Sequence, residues 1–149
     1  MRRIIVATGN RGKLEEIRSA LDFPGWEFVT AADLGAEGLE VEETGATFLD
    51  NARLKARACH EAFGLAALAD DSGLEVDELG GQPGVYSSRY AGETATDADN
   101  NEKLLAALAD IPHERRTARF RSVIVLVGED GSETIADGVC EGSIGVEPR

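Results

Sequence analysis

Basic side chains are scarce in this sequence: 15 Lys and Arg stand against 28 Asp and Glu, a net charge of −13 over 149 residues. That deficit argues against a nucleic-acid duplex or an anionic membrane surface as partner, since both are held by clustered cations. Aromatic residues are also few, 5% of the chain, and no basic-aromatic stripe of the kind that stacks single-stranded bases is present. There are two cysteines, Cys59 and Cys140, too few for a disulfide framework and without metal-ligand spacing. Cys59 lies on the apolar face of a predicted helix and Cys140 in a strand-like segment, and each reads as a small core residue. His60 and His113 have no Cys or His partner at ligand spacing, and no Gly-x-Ser-x-Gly elbow exists. No apolar run reaches the length of a membrane span, and the run after Arg2 and Arg3 is too short for a signal peptide. The cytoplasm is therefore the expected location.

What remains is an ordinary globular composition, 42% hydrophobic, in a length that suits one compact domain. Arg3 to Thr8 reads as a buried strand, broken by a glycine turn. Lys13 to Asp22 has Leu14, Ile17 and Leu21 at helical spacing. Trp26 to Ala31 reads as a second strand, and the acidic, glycine-rich stretch Asp33 to Gly45 as loop. Thr47 is placed to cap a long helix to Phe63, with Phe48, Ala52, Ala56, Cys59 and Phe63 as its apolar stripe. Leu65 to Ala69 is a short apolar run that stops at Asp70-Asp71-Ser72-Gly73, read as a turn, before Leu74 to Leu79. Thr96 opens a helix with Leu104, Leu105 and Leu108 inward. Ala118 to Val127 is the strongest strand, and Glu129-Asp130-Gly131-Ser132 turns it back along Thr134 to Val146. Alternating strands and helices followed by a hairpin predict an α/β fold with a mixed sheet.

Three stretches carry candidate chemistry. In "ATGNRGK", Ala7 to Lys13, a buried strand gives way to glycines and a helix N-terminus. It is not a P-loop, but Gly9 and Gly12 permit close backbone approach, Thr8 and Asn10 can donate, and Arg11 and Lys13 add positive charge. Lysine opposes the helix dipole there, so its placement calls for an anion nearby. In "ALADDSG", two adjacent carboxylates follow a buried strand at the end where open α/β sheets bind ligands. Alternation sends them to opposite sides, one toward a site and the other to brace loop backbone. Oxygen ligands of this kind suit Mg2+, which takes one or two carboxylates together with phosphate and water. On the long helix, Asn51 and Lys55 share an edge of the apolar stripe, and a lysine there either reaches into a cleft or snorkels to water. Glu42 and Glu43, just upstream, can supply another metal carboxylate. Phosphate-gripping turn, helix-edge lysine and hard oxygen donors are together the parts for holding a nucleotide's phosphates around a metal.

The residues resemble a known family. "ATGNRGK", "EETGATFLDNARLKA" from Glu42, "ALADDSGLEVDELGGQPGVYSSRYAG" from Ala67 and "RFRSVIVLV" from Arg119 are similar, in order and over nearly the whole chain, to the inosine/xanthosine triphosphate pyrophosphatases, also called non-canonical purine NTP pyrophosphatases. The resemblance implies an elongated, two-lobed α/β fold with a central mixed sheet flanked by helices and a cleft between the lobes. It implies Mg2+-dependent hydrolysis of ITP, dITP and XTP to the monophosphate and pyrophosphate, and a homodimer. Carried over by position, Thr8, Gly9, Asn10, Arg11, Gly12, Lys13, Asn51, Lys55 and Ser72 line the substrate. Glu43 and Asp71, with Asp70 beside them, are the metal and water-activating carboxylates, and Asp71, Lys13 and Lys55 carry catalysis. The family runs on into a Gly-Phe-Gly-Tyr-Asp-Pro segment, a further lysine and a Ser-His-Arg motif that read the base. None is in this sequence, so the expectation is a single domain, 1–149, truncated before its base-recognition segment. A non-catalytic nucleotide- or phosphate-binding module, and a Mg2+-dependent pyrophosphatase of pyrimidine preference, stay open beside it.

Overall fold

A computed structural model describes residues 2–7, 11–21, 24–35 and 44–146. Among them are five strands, β1 (Arg2–Val6), β2 (Trp26–Val29), β3 (Ala66–Val76), β4 (Thr117–Val127) and β5 (Glu133–Ser143). Three α-helices accompany them, α1 (Arg11–Ala20), α2 (Phe48–Phe63) and α3 (Asp97–Ala107). The strands form one mixed sheet in the order β2-β1-β3-β4-β5. The residues group into two compact units, Met1–Asp71 with Val123–Ala136, and Ser72–Ser122 with Asp137–Arg149.

In the first unit β1 is central. It pairs in parallel with β2, Ile4 opposite Phe28, and in parallel with β3, Ile4 opposite Ala66 and Val6 opposite Leu68. A strand covered on both faces needs apolar residues in succession, and Ile4, Ile5 and Val6 are all buried. Their alternation sorts the two faces. Ile4 and Val6 pack with Leu14 of α1, Phe28, Ala66 and Leu68, while Ile5 packs with Val29, Ala67 and Cys59 of α2. Chain handedness explains this division. The step from β1 to β2 and the step from β2 to β3 run in opposite directions across the sheet, so right-handed crossovers put α1 and α2 on opposite faces. Small side chains let α2 come close: Ala52 and Ala56 meet Ala69, Val125 and Val127. The helix begins where Thr47 accepts the Asp50 N–H at 3.1 Å. It ends at Gly64, whose φ of 68° is the left-handed cap that glycine adopts without strain.

The second unit has its own core of Val76, Leu104, Leu108 and Ala118, with Leu74, Leu79, Tyr90, Ile111 and Ile144 against it. Thr96 and Asp99 form a reciprocal capping box on α3. Arg116 is 5% exposed, and its guanidinium donates to the carbonyls of Leu108 at 2.7 Å, Ile111 at 2.9 Å and Gly145 at 2.9 Å. Leu108 caps the C-terminus of α3, the negative end of the helix dipole, which favours a cation.

Two expectations are corrected here. Asp70-Asp71-Ser72-Gly73 is not a turn between two short strands but the middle of the single strand β3. Charged pairs can stay in an extended, half-buried strand when each charge has a partner, and both do. Cys140 is not in the core: it is exposed, on a strand that ends the sheet order and is solvent-facing along most of its length. Cys59 is buried as expected, and burial pushes its thiol pKa up.

Candidate active site

Of the expected residues, Lys13, Asn51, Lys55, Asp70 and Asp71 come together in the first unit, around the part of β3 that outruns its neighbour. Strand β1 ends at Val6, opposite Leu68, and the Ala7 N–H closes the pairing on the Leu68 carbonyl at 2.8 Å. Asp70 and Asp71 follow, past the carboxyl end of the parallel pair, the place where open α/β sheets leave a crevice. Pleating then separates the two acids. Leu68 belongs to the α1 face and Ala69 to the α2 face, so Asp70 goes with α1 and Asp71 with α2.

On the α1 side, Lys13 Nζ stands 2.5 Å from Asp70 Oδ2. Helix α1 has no acidic residue in its first turn, so Asp70 supplies the anion that a lysine at this helix N-terminus calls for. The expectation that the second aspartate braces loop backbone is replaced by this ion pair. On the α2 side, Asp71 is buried. Asn51 Nδ2 donates to Asp71 Oδ2 at 3.4 Å, and Lys55 Nζ lies 4.0 Å from Asp71 Oδ1. Lys55 thus turns inward, its side chain 18% exposed, instead of snorkelling to water. Each carboxylate has an ammonium beside it, which offsets the repulsion between two adjacent negative charges in one strand.

Asn51 is fully buried and spends both ends of its amide. Its Oδ1 accepts the Gly45 N–H at 2.8 Å while Nδ2 serves Asp71. Gly45 was missed in the sequence, where it read as one more glycine in a loop. A Cβ on it would stand 2.5 Å from Asp50 Cβ and 2.7 Å from Asn51 Oδ1, so the approach requires glycine. The only signal in the sequence was its place between the Glu42-Glu43 acids and the Thr47 cap. Arg11 and Gly12 open α1, and Ser72 follows Asp71 in β3, half-buried, in the second unit. Thr8, Gly9, Asn10, Glu42 and Glu43 lie outside the described residues. Among the described residues no group of three or more His, Cys, Asp or Glu is arranged to hold a metal, and no helix is long and apolar enough to cross a membrane.

A model of the Ham1 family matches residues 4–149. The chain belongs to the Ham1 family. A relative in Haemophilus influenzae, named dITP/XTP pyrophosphatase, is 52% identical over 149 residues, which cover 99% of this chain and 75% of that relative. Among solved structures of the family, a HAM1 protein from Coxiella burnetii superposes with a TM-score of 0.90 at 42% identity, covering all of this chain and 76% of that one. One from Mycobacterium abscessus, described as a nucleoside-triphosphatase and dITP/XTP pyrophosphatase, gives a TM-score of 0.87 at 47% identity over 99% of this chain and 76% of that one. The Ham1 fold seen in those structures has the mixed α/β sheet expected from the sequence.

Proposed function

We propose that this chain hydrolyses non-canonical purine nucleoside triphosphates, ITP, dITP and XTP, to the monophosphate and pyrophosphate, and so clears them from the nucleotide pool. The observation that carries the substrate class is the name of its relative, dITP/XTP pyrophosphatase, at 52% identity across 99% of this chain. The chemistry of the described residues supports the reaction type. A partly screened carboxylate, Asp71, sits beside an ammonium, Lys55, and a second ion pair, Asp70 with Lys13, flanks it.

In this reading Asp71 orients a water and takes its proton as the water oxygen bonds to the α-phosphorus. The bond from the α-phosphorus to its bridging oxygen breaks, and pyrophosphate leaves with the electron pair. Lys13 and Lys55 hold the growing negative charge, so most of the rate comes from positioning and electrostatics. Thr8, Gly9, Asn10, Arg11, Gly12 and Ser72 hold the triphosphate. The donor set also suits a hard divalent cation: carboxylate oxygens in a half-buried setting, short of a full cage, are what Mg2+ takes when phosphate and water complete its shell. Asp71 and Glu43 would hold it, with Asp70 beside them. Bound there, Mg2+ would supply Lewis-acid neutralisation of the phosphate oxygens and a template for the substrate. The same reading expects a homodimer in the cytoplasm.

The test is product analysis with ITP, XTP, dITP, GTP, dUTP and TTP in heavy-oxygen water with Mg2+. The expected result is pyrophosphate release from the first three, with label in the monophosphate. Label in pyrophosphate would place the attack on the wrong phosphorus. Binding of ITP without release would leave a nucleotide-binding module, and faster turnover of dUTP or TTP a pyrimidine enzyme.

A further inference from the structure

We propose that Asn51 is a positioning residue that clasps Asp71 to the backbone leading into α2, and does not bind phosphate. The inference rests on the hydrolytic reading of Asp71 above. It comes from the way the Asn51 amide is spent. The group is fully buried, with no face open to solvent. Its oxygen takes the Gly45 N–H at 2.8 Å, and its nitrogen serves Asp71 Oδ2 at 3.4 Å. A backbone N–H on one side and a carboxylate on the other need an acceptor and a donor held back to back. A primary amide provides both in one plane. Aspartate would keep the acceptor and oppose Asp71 with a like charge; leucine would keep neither.

Gly45 completes the clasp. With a Cβ only 2.7 Å from Asn51 Oδ1 and 2.5 Å from Asp50 Cβ, any other residue would push the backbone off the amide. Helix α2 anchors the other side, because the Asn51 N–H is itself committed to the Thr47 carbonyl at 3.1 Å. The cap of α2, the chain that follows Glu43 and the carboxylate on β3 therefore meet on one side chain. Glycine at 45 and asparagine at 51 fix where the Asp71 carboxylate points. Partners that orient a reacting carboxylate in this way typically matter by about 10–100-fold in activity or metal affinity.

Two measurements test the clasp. The first is steady-state turnover of Mg2+–ITP by Gly45→Ala, which changes no chemical group in the site. The expected result is a kcat lower by about 10–100-fold with KM within about threefold. A kcat equal to wild type overturns the proposal, and so does a rise in nucleotide Kd as large as the loss in kcat. The second is a thermal-unfolding cycle of Asn51→Asp, Asp71→Asn and the double swap, which reads the contact whether or not the chain turns over. Asn51→Asp alone is expected to lower Tm by about 5 °C or more, and the swap, which restores a donor facing an acceptor, to recover at least about half of that. Additive Tm shifts overturn the clasp. A wild-type chain that releases no pyrophosphate from ITP sinks the hydrolytic reading instead, and leaves the Tm cycle to decide the contact.

Discussion

Replacing Lys13 by Met removes the ammonium from Asp70 and leaves the alkyl stem in place. At 2.5 Å and an effective dielectric near 20, the pair's direct attraction is roughly 6–7 kcal/mol. That is a gross figure. Both groups lose hydration on folding, and the lysine side chain is 35% exposed, so water competes for it. Removing one partner of a well-buried pair costs about 3–5 kcal/mol, chiefly because the other charge is stranded. Asp70 is the more buried partner, 13% exposed in its side chain, and it sits next to the buried Asp71 carboxylate. Discounting for the exposure of the lysine gives an expected loss of about 1–3 kcal/mol. Urea unfolding of wild type, Lys13→Met, Asp70→Asn and the double variant measures it. The double variant should recover most of the loss, since the stranded charge is gone. Lys13→Met within about 0.5 kcal/mol of wild type would refute the claim that this carboxylate is held in mid-strand by the lysine.

Arg116→Met leaves the carbonyls of Ile111 and Gly145 without their donor, with Leu108 keeping only the Ile111 N–H, and urea unfolding should show a loss of about 2–5 kcal/mol; a loss below about 1 kcal/mol would mean water replaces the guanidinium. In the folded chain a thiol reagent should titrate Cys140 promptly and Cys59 only after denaturant is added, because one thiol is exposed and the other is buried with a raised pKa. The Thr117 hydroxyl, and then Arg119, hold the Asp77 carboxyl below its usual range. A depressed carboxylate pKa adds stability that is present above the unfolded value of about 3.9 and lost as pH falls through the folded value. Asp77→Asn should therefore lose Tm less steeply than wild type on acidification below about pH 4; equal slopes would remove Asp77 from the acid response.

Local chemistry made much of this fold readable. Helix α2 is bounded by a threonine that caps and a glycine that can turn left-handed, and its stripe has the helical period, so it is found from Phe48 to Phe63 as expected. The same locality misled at Asp70-Asp71-Ser72-Gly73. Acid, acid, serine, glycine is turn chemistry, and what keeps it extended is two lysines brought from α1 and α2, which no window around β3 contains. Cys140 failed for a related reason: its segment has strand composition, but burial depends on what lies over the strand. In the site, Lys55 and Asn51 were legible as neighbours on one helix edge. That the asparagine would be buried and doubly bonded, and that Gly45 had to be glycine, depended on distances that only the folded chain supplies.

In the proposed reaction the carboxylate on β3 beside Lys55 does the hydrolytic work. Asp71→Asn keeps the volume and a polar group at that position, and it can be assayed for pyrophosphate release from Mg2+–ITP and, in parallel, for nucleotide Kd. The expected kcat is lower by about a thousandfold or more, with Kd within about threefold of wild type. Turnover close to wild type in the folded variant would contradict it.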